Sequence, residues 1–147
     1  MLSIGPYSLY VYQERIVNQL RNGIRKLRAD GKPPHILLQA PCGAGKSLLS
    51  AFLAQSTADH GNRFLFMVAG RSLVAQMSEK LAECQVHHGM LMADSDRAIT
   101  HEYASHNQKT LEFCPIVIAS RDTYDSRVLN RQTVSDLKVQ VILIDEA

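Results

Sequence analysis

The chain has 147 residues, of which 46% are hydrophobic and 20% are charged, and its formal net charge is +2. This length and apolar content suit one folded domain and exclude an intrinsically disordered chain. The clearest apolar runs, 64–69 and 141–144, are far shorter than the roughly 18 residues that a membrane-spanning helix needs. Because the net charge is small, any binding of nucleic acid must depend on a local basic patch.

The cysteines and the N-terminus bear on the compartment. The three cysteines are scattered and odd in number, which is typical of a reduced, intracellular protein. Residues 1–10 contain neither a basic segment nor a long apolar stretch, so we expect no signal peptide. We therefore expect a protein that is not secreted and that works in the cytoplasm, the nucleoid or the nucleus.

Apolar spacing and the glycine and proline positions predict the following elements in chain order. They are a helix over 12–28, a strand over 35–39, a loop over 40–45, a helix over 46–60, a strand over 63–69, a helix over 72–84, a weak strand over 86–93, an irregular connection over 94–112, a strand over 116–120, a short helix over 121–130 and a strand over 139–144.

The alternation of strands and helices predicts an α/β fold. The predicted strands are apolar throughout, which is typical of a mainly parallel sheet that is covered by helices on both faces. In such sheets ligands bind beyond the carboxyl ends of the strands. The residues that directly follow positions 39, 69, 120 and 144 are therefore the first candidates for a functional site.

A glycine-rich loop joins the first predicted strand to the second predicted helix. Its sequence, A-P-C-G-A-G-K-S over residues 40–47, is a Walker A pattern in which Ala40 replaces the usual first glycine. Gly43 and Gly45 allow the backbone to wrap closely around phosphate. The N-terminus of the following helix adds free N–H groups and the positive end of its dipole.

The side chains at the end of this loop predict a nucleotide site with Mg²⁺. Lys46 is suited to neutralise the β- and γ-phosphates, and Ser47 to give an oxygen ligand to the metal. The alternative is a glycine-rich turn with a surface lysine, which the strand–loop–helix context disfavours. The predicted nucleotide-binding residues of the loop are Pro41, Cys42, Gly43, Ala44, Gly45, Lys46 and Ser47.

An acidic pair follows the last predicted strand. Asp145 and Glu146 are adjacent, so their carboxylates point in different directions at the strand end. We assign Asp145 to the metal and Glu146 to the attacking water as general base, which makes Lys46 and Glu146 the predicted catalytic residues. The strand and the acidic pair then form a Walker B motif over 141–146. The alternative interpretation is a solvated acidic end without function.

These two motifs together resemble those of the superfamily 2 helicases and translocases, the DEAD/DEAH-box group. L-Y-V-Y-Q over 9–13 resembles the L-R-P-Y-Q element of that group, although Tyr10 and Val11 replace its arginine and proline. Glutamine reads the adenine edge there, so the resemblance implies the same role for Gln13.

Two further segments resemble the nucleic-acid motifs of that group. V-A-G-R-S-L-V-A-Q over 68–76 resembles motif Ia, and I-A-S-R-D-T over 118–123 resembles motif Ib. The resemblance implies that these motifs hold the phosphates of one DNA or RNA strand. Ser72 is alternatively the N-cap of the helix predicted over 72–84, and Arg121 is alternatively a solvated arginine. The implied contact residues are Arg71, Ser72, Ser120, Arg121 and Thr123.

The resemblance implies a RecA-like fold, ATP hydrolysis with Mg²⁺ and a nucleic-acid partner. We expect residues 1–147 to be the first RecA-like domain, incomplete at its C-terminus, and a second RecA-like domain with arginine fingers to be a partner outside this chain. Two alternatives stay open: a truncated nucleotide- or nucleic-acid-binding module without turnover, and an unrelated P-loop kinase or NTPase. The sequence does not separate DNA from RNA, or unwinding from translocation.

Overall fold

The fold is taken from a computed structural model, which describes residues 1–91, 102–105, 111, 113–130 and 137–145. Its elements are β1 (Ser3–Ile4), β2 (Tyr7–Ser8), α1 (Val11–Ala29), α2 (Lys46–Asp59), β3 (Phe64–Val68), α3 (Arg71–Glu83), β4 (His88–Leu91), β5 (Ala104–Ser105), β6 (Ile116–Ser120), α4 (Arg121–Tyr124), a π-helical turn (Asp125–Asn130) and β7 (Val141–Asp145). Among these described elements, no helix is long and apolar enough to cross a membrane.

A parallel sheet of five strands organises the described residues. The strand order is β5-β4-β6-β3-β7, and every neighbouring pair in it is parallel. Parallel neighbours need crossover connections, and the helices α2 and α3 that flank β3 in sequence pack on one face of the sheet. The predicted parallel α/β architecture is confirmed.

The two faces of the central strands fill two separate clusters. Side chains alternate along a strand, so Phe64 and Phe66 of β3 enter the cluster under α2 and α3, while Leu65 enters the opposite one. Ile116 and Ile118 of β6 follow the first pattern, and its remaining apolar residues follow the second. Burial on both faces explains why these strands are apolar throughout.

The edge strand β7 is covered less completely. Val141 and Leu143 pack against the cluster under α2 and α3, whereas Ile142 and Ile144 on the other face are 53% and 62% exposed. The strand also begins two residues later than the prediction and includes Asp145. The prediction of strands covered on both faces therefore holds for the sheet centre but not for this edge.

The strand predicted over 35–39 is wrong. These residues form no strand, and Leu37 is 94% exposed. Ile36 instead lies beside α1, where its Cδ1 would be 3.2 Å from a Cβ at Gly23. An apolar run favours a strand only when a neighbouring strand is available to pair with it, and residues 35–39 lie outside the described sheet.

The N-cap of α3 and a short hairpin near the N-terminus also differ from the prediction. The helix predicted over 72–84 begins at Arg71, with Gly70 as the N-cap, so Ser72 is not the cap. The hairpin of β1 and β2 was not predicted, because strands of two residues carry no periodicity. It packs on the end of α3, where a Cβ on Gly5 would be 2.3 Å from the carbonyl oxygen of Cys84.

Truncation of Phe66 tests the assignment of the main core. Phe66 is fully buried, so Phe66→Ala should lower the free energy of unfolding by about 3–5 kcal/mol through lost burial and the cavity that remains. Phe113→Ala removes the same atoms from a side chain that is 83% exposed, and it should change stability by less than about 0.5 kcal/mol. Urea denaturation of both variants measures the difference. Similar losses in the two variants would contradict the core assignment.

Candidate functional site

The parallel register brings three strand ends to one level. Val68, the last residue of β3, is paired with Ser120 on one side and with Asp145 on the other. The chain continues from these ends into Arg71 at the start of α3 and into Arg121 at the start of α4. The carboxyl edge of the sheet therefore brings together the segments predicted as motifs Ia and Ib and the first residue of the acidic pair.

The predicted phosphate loop enters α2 through a left-handed residue. Gly45 is the N-cap of α2, with φ of 65°, and Gly43 has φ of 79°. The first hydrogen bond of the helix runs from the N–H of Leu49 to the carbonyl oxygen of Gly45. The N–H groups of the preceding turn therefore have no acceptor within the helix. That turn also has no acidic side chain to repel an anion.

Gln13 joins the start of α1 to this loop. It is fully buried, and its Oε1 accepts a hydrogen bond of 2.9 Å from the Tyr10 N–H, which caps the helix. Its Nε2 lies 3.4 Å from the carbonyl oxygens of both Ala44 and Gly45, which are weak contacts. The sequence carried only part of a signal for this role: glutamine at the third helical position is typical of a capping box, but Tyr10 stands at the N-cap in place of the usual serine or threonine.

The approach of Gln13 also explains a glycine in the loop. A Cβ on Gly45 would lie 2.4 Å from the Gln13 Nε2, which is closer than real side chains come. Gly45 therefore serves the packing of α1 against the loop as well as the left-handed backbone.

The side chains of the predicted phosphate loop are exposed to solvent to different degrees. Pro41, Cys42 and Lys46 are exposed, whereas Ser47 is half-buried at the start of α2. Asp145 is half-buried at the end of β7. Glu146 lies outside the described residues, so its predicted role has no structural counterpart here.

The predicted nucleic-acid residues fall into two groups. Arg71, Ser72 and Arg121 are exposed, and Arg121 is 4.0 Å from Asp125 in an ion pair on the protein surface. Ser120 and Thr123 are buried, and the Ser120 hydroxyl donates to the Thr123 hydroxyl over 2.8 Å. Ser120 also accepts from the Thr123 N–H, so it is the N-cap of α4.

The three cysteines differ in accessibility. Cys42 on the loop is exposed, Cys84 is buried and Cys114 is half-buried. Burial raises the pKa of the Cys84 and Cys114 thiols above the ordinary range for cysteine. These two thiols are therefore the less reactive ones, because the thiolate is the nucleophile.

Comparison with known proteins decides the family. Residues 6–147 match the profile of the type III restriction enzyme res subunit family. The chain belongs to this family. It is therefore a superfamily 2 helicase-type ATPase domain, and its parallel sheet with packed helices is the RecA-like fold that the sequence predicts.

The chain is also similar to viral proteins over part of its length. The chain is 27% identical over 89 residues to the transcript termination protein A18 of Vaccinia virus (strain Ankara) and of Rabbitpox virus (strain Utrecht). The match covers 58% of this chain and 17% of each viral protein. The matched region thus spans about a sixth of the length of these relatives.

Replacement of Gly45 tests the junction between α1 and the loop. An alanine in the left-handed conformation costs about 1–2 kcal/mol. Gly45→Ala should lower the free energy of unfolding by more than this, because its Cβ also displaces the Gln13 amide. Gly61→Ala is the matched control, since Gly61 has φ of 74° but open space around its Cβ position. Thermal or urea denaturation compares the two variants, and equal losses would contradict a packing role for Gly45.

Proposed function

We propose that this domain binds ATP with Mg²⁺ in the loop over residues 40–47 and hydrolyses it as the motor of a nucleic-acid helicase or translocase. The observation that carries the proposal is the loop itself. It has glycines in left-handed conformations, an exposed lysine and a helix N-terminus without an acidic side chain, all within a helicase-family domain. This combination suits a polyphosphate.

In the proposed complex, a lysine side chain and backbone N–H groups of the loop bind the triphosphate. The Lys46 ammonium neutralises the β- and γ-phosphates, and the backbone N–H groups of Gly45, Lys46 and Ser47 bind phosphate oxygens. The loop thus positions the phosphates, and Lys46 balances part of their charge.

The donor set fits a magnesium ion. The Ser47 hydroxyl and the Asp145 carboxylate supply hard oxygen ligands, which Mg²⁺ prefers. When bound, the ion neutralises the charge that develops on the transferred phosphoryl group. In the proposed mechanism the Glu146 carboxylate accepts a proton from the attacking water.

Gln13 is proposed to read the adenine edge in addition to its capping role. A side-chain amide pairs with the donor and acceptor edge of adenine, and guanine presents the reversed pattern. Since the Gln13 amide is engaged in the described structure, this reading requires it to exchange its long contacts with the loop for the base.

The exposed residues at the carboxyl edge are proposed to hold DNA or RNA. Arg71, Ser72 and Arg121 can donate hydrogen bonds to backbone phosphates, which are independent of base sequence and sensitive to salt. The buried pair of Ser120 and Thr123 holds the turn that presents Arg121. In this proposal the exposed residues of the two predicted motifs contact the nucleic acid directly. The buried pair of Ser120 and Thr123 acts indirectly, by keeping Arg121 in position.

Efficient turnover and unwinding are proposed to need a second RecA-like domain. A single domain has nothing to close against, and an arginine finger is worth roughly 10³–10⁵ in rate in related P-loop enzymes. Binding without turnover, the alternative function, is distinguished by comparing steady-state ATP hydrolysis with ATP affinity. Stimulation of that hydrolysis by nucleic acid separates a helicase from a P-loop kinase.

Removal of the loop lysine tests the nucleotide site. Lys46→Ala should weaken binding of Mg-ATP roughly ten- to hundredfold, because it deletes a charged partner of the phosphates. The melting temperature should stay within a degree or two, since Lys46 is exposed. Calorimetric titration measures the affinity. Lys32→Ala is the matched control, because Lys32 is also exposed but lies outside the loop. An unchanged affinity in Lys46→Ala would contradict the proposed site.

Removal of Arg121 tests the nucleic-acid surface. Arg121→Ala should weaken binding of a labelled single-stranded oligonucleotide and lower the slope of log affinity against log salt by about one. Arg28→Ala, at an exposed position at the end of α1, should leave that slope unchanged. Fluorescence anisotropy over a salt series, with DNA and with RNA, gives both values. Equal slopes in Arg121→Ala and wild type would exclude Arg121 as a phosphate contact.

A further inference from the structure

The exposed side chains along α1 share one chemical character. Between residues 15 and 26 every exposed side chain is a donor of N–H hydrogen bonds, and none is acidic. No apolar side chain is exposed in this span, whereas an interface with another protein usually has an apolar centre. This donor face of α1 consists of Arg15, Asn18, Gln19, Asn22, Arg25 and Lys26.

Positive charge is concentrated in α1. The helix contains five Arg and Lys residues and one acidic residue, Glu14, so its formal charge is +4, whereas that of the whole chain is +2. The remainder of the chain therefore carries a formal charge of −2. Helix α1 is thus a local basic patch of the kind that nucleic-acid binding requires in a chain with a small net charge.

The cations of the donor face are not paired with carboxylates of the described residues. Glu14 contacts the N-terminal ammonium over 3.8 Å, and Arg21, which is outside the donor face, is held against α2. Within the described part of the chain, Arg15, Arg25 and Lys26 form no ion pair. Their charges are therefore available to an external anion.

The helix spaces the donors over a length that suits a run of phosphates. Arg15 and Lys26 are 11 residues apart in α1, which is roughly three turns and about 16 Å along the helix axis. One strand of a duplex carries a phosphate about every 3.4 Å along its axis, so the donor face is long enough to contact several in succession. Arginine, lysine, asparagine and glutamine are typical donors to phosphate oxygens.

We propose that the donor face of α1 is a second contact surface for the nucleic acid, which binds backbone phosphates apart from the segments predicted as motifs Ia and Ib. The inference rests on the proposed function, since it assigns another contact to the same nucleic-acid partner. Contacts to phosphates carry no base information, so the donor face adds affinity and salt dependence without sequence preference.

Removal of two arginines tests the donor face in the 147-residue chain. Fluorescence anisotropy follows binding of a labelled single-stranded oligonucleotide and of its duplex over a salt series. Arg15→Ala/Arg25→Ala should weaken binding roughly tenfold at low salt and lower the slope of log affinity against log salt by about 1.5–2. Arg15→Lys/Arg25→Lys should keep the wild-type slope, because lysine also neutralises phosphate. The calorimetric affinity for Mg-ATP should be unchanged, because both positions lie outside the phosphate loop.

Arg28→Ala/Lys32→Ala is the matched control. This variant also removes two positive charges from exposed positions, but both positions lie outside the donor face. It should therefore leave the slope unchanged. The melting temperatures of all these variants should stay within a degree or two of wild type, since the replaced side chains are exposed.

Each outcome bears on a separate claim. An unchanged slope in Arg15→Ala/Arg25→Ala, while Arg121→Ala still lowers it, would overturn the proposal for α1 and leave the proposed function in place. An equal loss in the control variant would also overturn it, because the effect would then follow net charge alone. Tighter binding of poly-glutamate than of the oligonucleotides, lost in the same variant, would assign the donor face to an acidic protein segment instead. Failure of the wild-type chain to bind either oligonucleotide would overturn the proposed nucleic-acid function and the inference with it.

Discussion

The parallel pairing of β3 on both of its sides is the constraint on which the carboxyl edge of the domain depends. Backbone hydrogen bonds fix the register with β6 and β7, and that register brings Val68, Ser120 and Asp145 to one level. A shift of one residue would turn Phe64 and Phe66 out of the cluster under α2 and α3. The burial of these rings therefore keeps the strand ends, and the candidate residues that follow them, aligned.

A second junction sets the phosphate loop against the first helix. Gln13 caps α1 and lies against the Ala44 and Gly45 carbonyl oxygens, while the Tyr12 hydroxyl binds Ala44. A side chain on Gly45 would require the Gln13 amide to move. Helix capping and loop conformation are consequently parts of one packed unit.

The sequence was sufficient to predict elements that local apolar patterns and helix-start signals determine. The strand over 116–120 and the helical span over 121–130 have the predicted bounds, because apolar runs and helix-start signals are local. The strand over 35–39 failed, since pairing depends on a neighbour that an apolar pattern cannot supply. In the hairpin of β1 and β2, the Gly5-Pro6 pair was a turn signal, but the strands beside it are too short for periodicity.

The local backbone at the candidate site was predictable from the sequence, whereas its side-chain contacts were not. The loop over 40–47 enters a helix as its sequence requires, and the strand ends meet at one edge. Spacing alone did not reveal that Gln13 is buried as a cap, or that Ser120 and Thr123 bind each other. These contacts depend on which side chain lies nearest in the folded chain, and a motif does not contain that information.

Cys42 provides a direct measurement of the central claim, that phosphates bind in the loop over 40–47. This thiol is exposed within the loop, whereas the other two cysteines are wholly or partly buried and have raised pKa values. The rate at which a small alkylating reagent modifies Cys42, with Cys42→Ser as the blank, should fall as Mg-ATP or Mg-tripolyphosphate fills the loop. Protection that saturates at the calorimetric affinity is the predicted result. A modification rate that stays constant at saturating Mg-ATP would contradict the account.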